Sequence, residues 1–204
     1  ERGFDPAKMR SSESIFSLGN GRFGQRANFE EGYSGDSMLG SYVGGVYYPD
    51  RTKVGWWKNG YPEYFAKVLN ATNWTSIGIQ VNGVVLDLAS AHGVSEFERL
   101  LDMRRGLLQR RVEVETEAGV KVLLETERFI SMAHPNRAAV KMTLTPLTGV
   151  ESLTLEPKLD GGITNEDSNW DDAFWRHDGH SAEPTDGTSV LTNTTEKTGF
   201  TVSV

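Results

Sequence analysis

Cysteine is absent from the 204 residues. That excludes a disulfide framework, a thiolate nucleophile and a cysteine-ligated metal, and it favours a cytoplasmic location while leaving a secreted or periplasmic one open. Long apolar runs are absent too, so no segment reads as a membrane-spanning helix. The opening Glu1-Arg2-Gly3-Phe4-Asp5-Pro6 does not read as a signal peptide, and one already removed would leave no trace. Positive charge is in deficit, with 21 Lys and Arg against 28 Asp and Glu for a net charge of −7. The deficit is local: between Asp160 and Asp186 stand eight acids and one base, Arg176, while the remainder is balanced. A neutral body with one acidic segment lacks the positive field that nucleic acid or an anionic membrane requires.

Metal-ligating patterns are equally scarce. Of the four histidines, only His177-x-x-His180 forms a close pair, and it comes without further ligands. The acidic segment lacks the spaced oxygens and central glycine of a helix-loop-helix calcium site. No metal and no organic cofactor are expected. Three Asn-x-Thr triplets, at Asn70, Asn73 and Asn193, occur as readily by chance as for glycosylation.

What is present is a chain of alternating apolar residues, aromatic bulk (five Trp, nine Phe, six Tyr) and glycine turns. Ser14 to Glu31 reads as strand, glycine turn and strand around Gly19-Asn20-Gly21. Gly19-x-Gly21-x-x-Gly24 spells a dinucleotide fingerprint, but Arg22 to Phe29 shows no helical period, so a hairpin is predicted instead. Residues 1–12 read as an unstructured arm, Ser41–Tyr48 as one strand ending at Pro49-Asp50, and residues 53–64 as an aromatic loop. That loop, with Trp56, Trp57, Tyr61 and Tyr64, either packs under its own sheet or contacts another domain or subunit; a short helical turn follows Pro62, placing Phe65, Val68 and Leu69 on one face.

Ile77–Val81 and Val84–Leu88 flank a second Asn-Gly turn. Strands are predicted over 96–103, 107–115, 120–131, 137–146, 151–159, 188–193 and 200–204, with a loop over the acidic segment. Leu108, Val112 and Val114 face one way, and Gln109, Arg111, Glu113 and Glu115 the other. The paired arginines Arg104-Arg105 and Arg110-Arg111 lie among Glu96, Glu98, Asp102, Glu113 and Glu115, the composition of a surface charge ladder. The chain stops inside a strand-like run and starts on Glu1, so it reads as a piece of a longer protein, one all-β domain without an internal boundary.

Several of these segments carry a family resemblance. Glu13-Ser14-Ile15-Phe16-Ser17-Leu18-Gly19-Asn20-Gly21 followed by Gly24-x-Arg26-x-Asn28-Phe29-Glu30-Glu31 resembles the opening of the N-terminal domain of glycoside hydrolase family 65, which contains maltose, trehalose and kojibiose phosphorylases. Leu69–Trp74, Leu101–Leu108, the strand with Glu127-Arg128-Phe129, Thr145-Pro146-Leu147 and Leu159–Asn165 resemble further family elements. Ala27 stands where the family usually has glycine, and Thr72 where it commonly has proline. The resemblance implies a large antiparallel β-sandwich, a supersandwich of galactose-mutarotase type, truncated here at its C-terminus. It also implies a following helical barrel whose glutamate acts as general acid while inorganic phosphate, the co-substrate, attacks the anomeric carbon of an α-linked glucose disaccharide with inversion. Homodimerisation is implied as in related phosphorylases.

The chemistry thus belongs to a segment outside these residues, and no catalytic residue is expected within them. Asp167, Asp171 and Asp172 are carboxylates by type only, with nothing around them to desolvate an acid. Carbohydrate contact is the better reading of the same segment: Trp170, Phe174 and Trp175, interleaved with Asn165, Asp167, Asn169, Asp171 and His177, offer a flat apolar face and acceptors for hydroxyls. Asn165, Asp167, Trp170, Trp175 and His177 are therefore the candidate sugar- or barrel-facing residues, against the alternative that the aromatics pack inward. Two other functions fit an acidic sandwich: a free-standing carbohydrate-binding module, and an aldose epimerase using histidines such as His134 and His177.

Overall fold

The structure, a computed structural model, describes residues 1–52, 60–166, 173–183, 185 and 187–204. The chain forms the expected all-β antiparallel sandwich, with one short helical segment near its start. It divides into two compact units, Glu1–Leu39 with Thr75–Lys158 and Gly40–Trp74 with Leu159–Val204. No described helix is long and apolar enough to cross a membrane.

In the first unit, residues 1–12 are not the unstructured arm that composition suggests. Asp5 caps a 3-10 turn, Pro6–Lys8, by accepting from the Ala7 N–H at 3.1 Å, and helix α1 runs from Met9 to Ile15. Its anchor is polar, which is why no apolar period announced it. The fully buried Glu13 carboxylate accepts from the Met38 N–H at 2.9 Å and from the Ser37 hydroxyl, and Arg26 lies 3.8 Å away. The expected first hairpin is present but short, β1 (Leu18–Gly19) against β2 (Phe23–Gln25), because α1 takes Ser14 and Ile15. Asn20 closes the turn: its Oδ1 accepts from the N–H groups of Arg22 and Phe23, while its Nδ2 donates to the carbonyls of Ser131 and Pro135. Gly21 takes φ +83°, open to glycine at little cost. A strand follows the turn, so the dinucleotide reading fails.

Two sheets enclose the main core of this unit. One has the order β11 (Ala138–Thr148), β10 (Lys121–Ile130), β9 (Leu107–Glu115), β8 (Gly93–Asp102); the other has the order β12 (Leu153–Pro157), β6 (Ile77–Val81), β7 (Val84–Val85). The period-two pattern places Val112, Val114, Val122 and Leu124 inward with no exposure, against Ile79 and Val81 of the facing sheet. The Asn82-Gly83 turn has φ of +51° and +77°, the primed geometry that suits the twist of a hairpin. The Asn82 side chain also staples the β11–β12 link, donating to the Gly149 carbonyl and accepting from the N–H groups of Glu151 and Ser152. A bulge between Ser95 and Glu98, with Glu96 at φ +49°, turns the Glu96 carboxylate towards Arg111.

The second unit contains β3 (Ser41–Val43), the β4 (Tyr47–Arg51) and β5 (Tyr64–Val68) ribbon, and the sheet β13 (Trp175–Glu183), β14 (Thr188–Thr195), β15 (Thr201–Ser203). Four expectations are corrected here. Gly44-Gly45 breaks the single strand predicted over 41–48, with Gly45 at φ +84° and the Val46 N–H bonded back to Val43. The helical turn predicted after Pro62 is strand β5, registered against β4 from Val68–Tyr47 to Tyr64–Arg51, and Pro49 sits within β4 instead of ending it. The acidic loop contains β13, whose mostly exposed, polar residues lack the alternation that would reveal a strand. Trp56 and Trp57 lie outside the described residues. Tyr61 and Tyr64 are exposed.

Burial sets the expected response to truncation. Leu124→Ala should cost about 3 kcal/mol and Leu100→Ala, half-exposed on the wet face of the same sheet, under about 1 kcal/mol. Urea denaturation of the two variants checks this, and similar midpoints would contradict the assignment of faces.

Candidate functional site

The Leu69–Trp74 segment organises the second unit. Asn165 grips it from one side: its Nδ2 donates to the Val68 carbonyl at 3.0 Å and its Oδ1 accepts from the Asn70 N–H at 2.9 Å. Trp175 grips the carbonyl two residues on, its Nε1–H donating to Asn70 O at 2.8 Å, and it packs beside the cluster of Val46, Tyr48, Leu69 and Phe174. Asn70 in turn accepts from the Ser41 N–H. The structure therefore brings Asn165 and Trp175 together on one stretch of backbone, and the polar atoms expected to meet a sugar hold the scaffold. Trp175 as a whole is half-buried. Asp167 and Trp170 lie outside the described residues, as do Asn169, Asp171 and Asp172.

His177 is held differently. A register shift in β13 after His177 brings it onto the same face as His180, which a regular strand would place on the opposite face. The rings stack at 5.5 Å, with His177 Nε2 at 3.3 Å from His180 Nδ1 and His177 Nδ1 at 3.3 Å from Asn193 Oδ1. Asn193 donates to Thr72 Oγ1 at 3.2 Å, so the histidine pair is tied to the same segment from a third direction. Beside it, the Asp178 carboxyl lies below its usual range, chiefly because the Thr194 hydroxyl donates to it and also because Arg176 does. Among the described residues no three metal-ligating side chains converge. Asn70 and Asn193 are 5% and 3% exposed and hydrogen-bonded, so neither is an open glycan acceptor in the folded chain.

A cluster of buried charge lies elsewhere, under the Asn28-Phe29-Glu30-Glu31 segment of the first unit. Arg110 of β9 donates to Glu31 Oε1 at 2.7 Å, to Glu31 Oε2, and to Glu30 Oε2 at 3.2 Å, with its guanidinium 4.2 Å from the Phe29 ring centroid. Arg128 of β10 lies 3.4 Å from Glu30 Oε1 and donates to the Asn28 carbonyl. All four side chains are nearly inaccessible. Burial pushes the Glu30 carboxyl up, but Arg128 and Arg110 outweigh it and hold the group below its ordinary value. Burial likewise opposes the Arg110 charge, and Glu31 and Glu30 overcome it, raising its pKa; Arg128 shares one carboxylate, and its pKa falls under burial. A carboxylate held ionised by two guanidinium groups is a structural lock, not a proton donor.

The surface-ladder reading is thus right for Arg111 and wrong for Arg110. Arg111 sits between Glu96 and Glu125 at 3.2 and 3.0 Å on the wet face. Arg110, one residue earlier, shares the buried face of Leu108, Val112 and Val114, and strict alternation would have shown it. The wet face also carries a shallow groove of about 300 Å³ lined by Glu98, Leu100, Gln109, Arg111, Glu125 and Glu127 among others, whose polar groups largely pair with one another.

Removing one partner from the lock leaves buried charge behind. Arg110→Leu should cost about 3–5 kcal/mol, and Arg111→Leu under about 1 kcal/mol. Because the folded Glu30 pKa is depressed, its contribution is complete above the ordinary glutamate value of about 4.3 and is lost as pH falls through the folded value. Acid unfolding followed by circular dichroism should therefore be shallower in Glu30→Gln than in the parent; identical pH profiles would show that Glu30 is not held ionised.

Comparison with known proteins adds to this geometry. The family model described as glycosyl hydrolase family 65, N-terminal domain, matches residues 1–204. A maltose phosphorylase of Bacillus subtilis is 45% identical over 184 residues, covering 90% of this chain and 24% of that protein. An alpha,alpha-trehalose phosphorylase of Thermoanaerobacter brockii is 31% identical over 161 residues, covering 76% of this chain and 20% of that protein. Among solved structures, a putative kojibiose phosphorylase from the human microbiome superposes over all of this chain and 26% of its own, with a TM-score of 0.85 at 30% identity. The chain spans about a quarter of the length of such relatives or less.

Proposed function

The chain belongs to glycosyl hydrolase family 65 as one of its N-terminal domains, and from that premise we propose that the full-length protein is an inverting phosphorylase of α-linked glucose disaccharides, with maltose its first substrate. The observation that carries the choice of maltose is the markedly higher identity to the maltose phosphorylase than to the trehalose enzyme. In this reading inorganic phosphate attacks the anomeric carbon as the glycosidic C–O bond breaks, and a glutamate of a following helical barrel protonates the departing oxygen. The residues described here supply no reacting group. Their buried carboxylates are held in place, Glu13, Glu30 and Glu31 by arginines, with a backbone N–H and a serine hydroxyl also on Glu13, and Asp50 by Lys67.

The domain's part is to buttress the barrel and to take part in a homodimer, acting in the cytoplasm without metal or organic cofactor, nucleic acid or membrane. His177 and the half-buried Trp175 face the barrel or the sugar at its rim. Asn165 serves them indirectly by fixing the backbone at residues 68–70.

Incubating the full-length protein with maltose and phosphate should yield glucose and the β-anomer of glucose 1-phosphate, while residues 1–204 alone yield neither. Release of glucose without sugar phosphate, or formation of the α-anomer, would overturn the phosphorolytic, inverting reading. Calorimetric titration of the isolated domain with maltose, trehalose and kojibiose should give no heat of binding; appreciable binding would favour a carbohydrate-binding module.

A further inference from the structure

We propose that His177 and His180, brought together by the bulge in β13, form a two-imidazole site for a borderline divalent metal ion of the zinc type. Their spacing in sequence argues against such a site, because residues three apart on a regular strand point to opposite faces. The register removes that objection. His177 pairs with Asn193, Gly179 with Thr192 and His180 with Leu191, so Asp178 is the extra residue and the histidines stand two ladder positions apart on one face.

The facing nitrogens are spaced for a shared cation. His177 Nε2 and His180 Nδ1 are 3.3 Å apart while the ring centres are 5.5 Å apart, so each ring turns a nitrogen towards the other. That is long for a direct bond between them, beside the roughly 2.9–3.0 Å of well-formed N–H hydrogen bonds. Two nitrogens each about 2.0–2.1 Å from one tetrahedral zinc ion lie about 3.3–3.4 Å apart, which is the separation already present. Both residues are exposed, and a turn of each ring about its Cβ–Cγ bond, a broad torsion, aims the two lone pairs at a common point.

The surroundings favour an unprotonated nitrogen there. Asn193, 3% exposed, donates from Nδ2 to Thr72 Oγ1 at 3.2 Å and presents Oδ1 to His177 Nδ1 at 3.3 Å. An acceptor at Nδ1 keeps the ring proton on that side and leaves the Nε2 lone pair free, as the outer partners of metal-bound histidines do. The wider field has the matching sign, since the segment from Asp160 to Asp186 carries eight acids and one base. Imidazole nitrogen selects zinc over the oxygen-seeking magnesium and calcium. Asp178 is engaged by Thr194 and Arg176, and among the described residues no third metal-ligating side chain converges, so water completes the coordination and the ion is exchangeable. The reaction proposed above makes no use of this ion, and the two inferences can fail separately.

Calorimetric titration of the full-length protein with zinc chloride at neutral pH tests the site. The parent should show a zinc site that is weakened roughly tenfold or more in His177→Ala, and equally in His180→Ala, because both rings serve one ion. His134→Ala should leave it unchanged, and magnesium chloride should reveal no difference between the parent and any variant. The two substitutions lie at exposed positions, so the variants keep the parent's fold, which circular dichroism checks. Equal zinc binding by the parent and both variants would overturn the proposal, as would a loss confined to one of the two histidines.

Discussion

The packing of the first unit depends on the pairing of Glu30 and Glu31 with Arg110 and Arg128. These charges come from three segments far apart in sequence, and taking them out of water is costly unless each finds its counter-charge in good geometry. The requirement fixes where the 28–31 segment lies on the inner face of β9 and β10, and it places Phe29 against the Arg110 guanidinium. The buried charge of Arg99 extends the same region, its guanidinium over the rings of Phe29 and Phe97. Hydrophobic burial supplies most of the energy of such a core, and the charge pairs tie the 28–31 segment to β9 and β10.

The second unit uses hydrogen bonds for the same end. Three side chains reached from different strands or loops, Asn165, Trp175 and Asn193, converge on residues 68–72. Amides and an indole that composition presents as sugar-binding groups are thereby committed to the backbone. That division of labour leaves His177 and His180 exposed and Trp175 half-buried.

Much of the architecture was legible where the pattern was local and periodic. The long strands β8 to β11 follow from alternation, and the Asn82-Gly83 turn from the preference of that dipeptide for positive φ. The elements that escaped were those whose stability comes from outside themselves. Helix α1 is held by a buried carboxylate, β5 by its register with β4, and β13 by pairing with β14 despite polar residues on both faces. In the candidate site the residues were named from their types, but their partners were not visible, because the Asn165 and Trp175 contacts span 95 to 105 residues.

The sequence by itself determined the all-β class, the family and the wet and dry faces of the main sheet, since each of these depends on residue type and near-neighbour spacing. Tertiary structure alone decided which carboxylates Arg110 and Arg128 meet, and that Asn165 binds backbone. Those outcomes depend on which distant groups meet, and the free energy of a buried charge is set by that meeting and not by the residue itself.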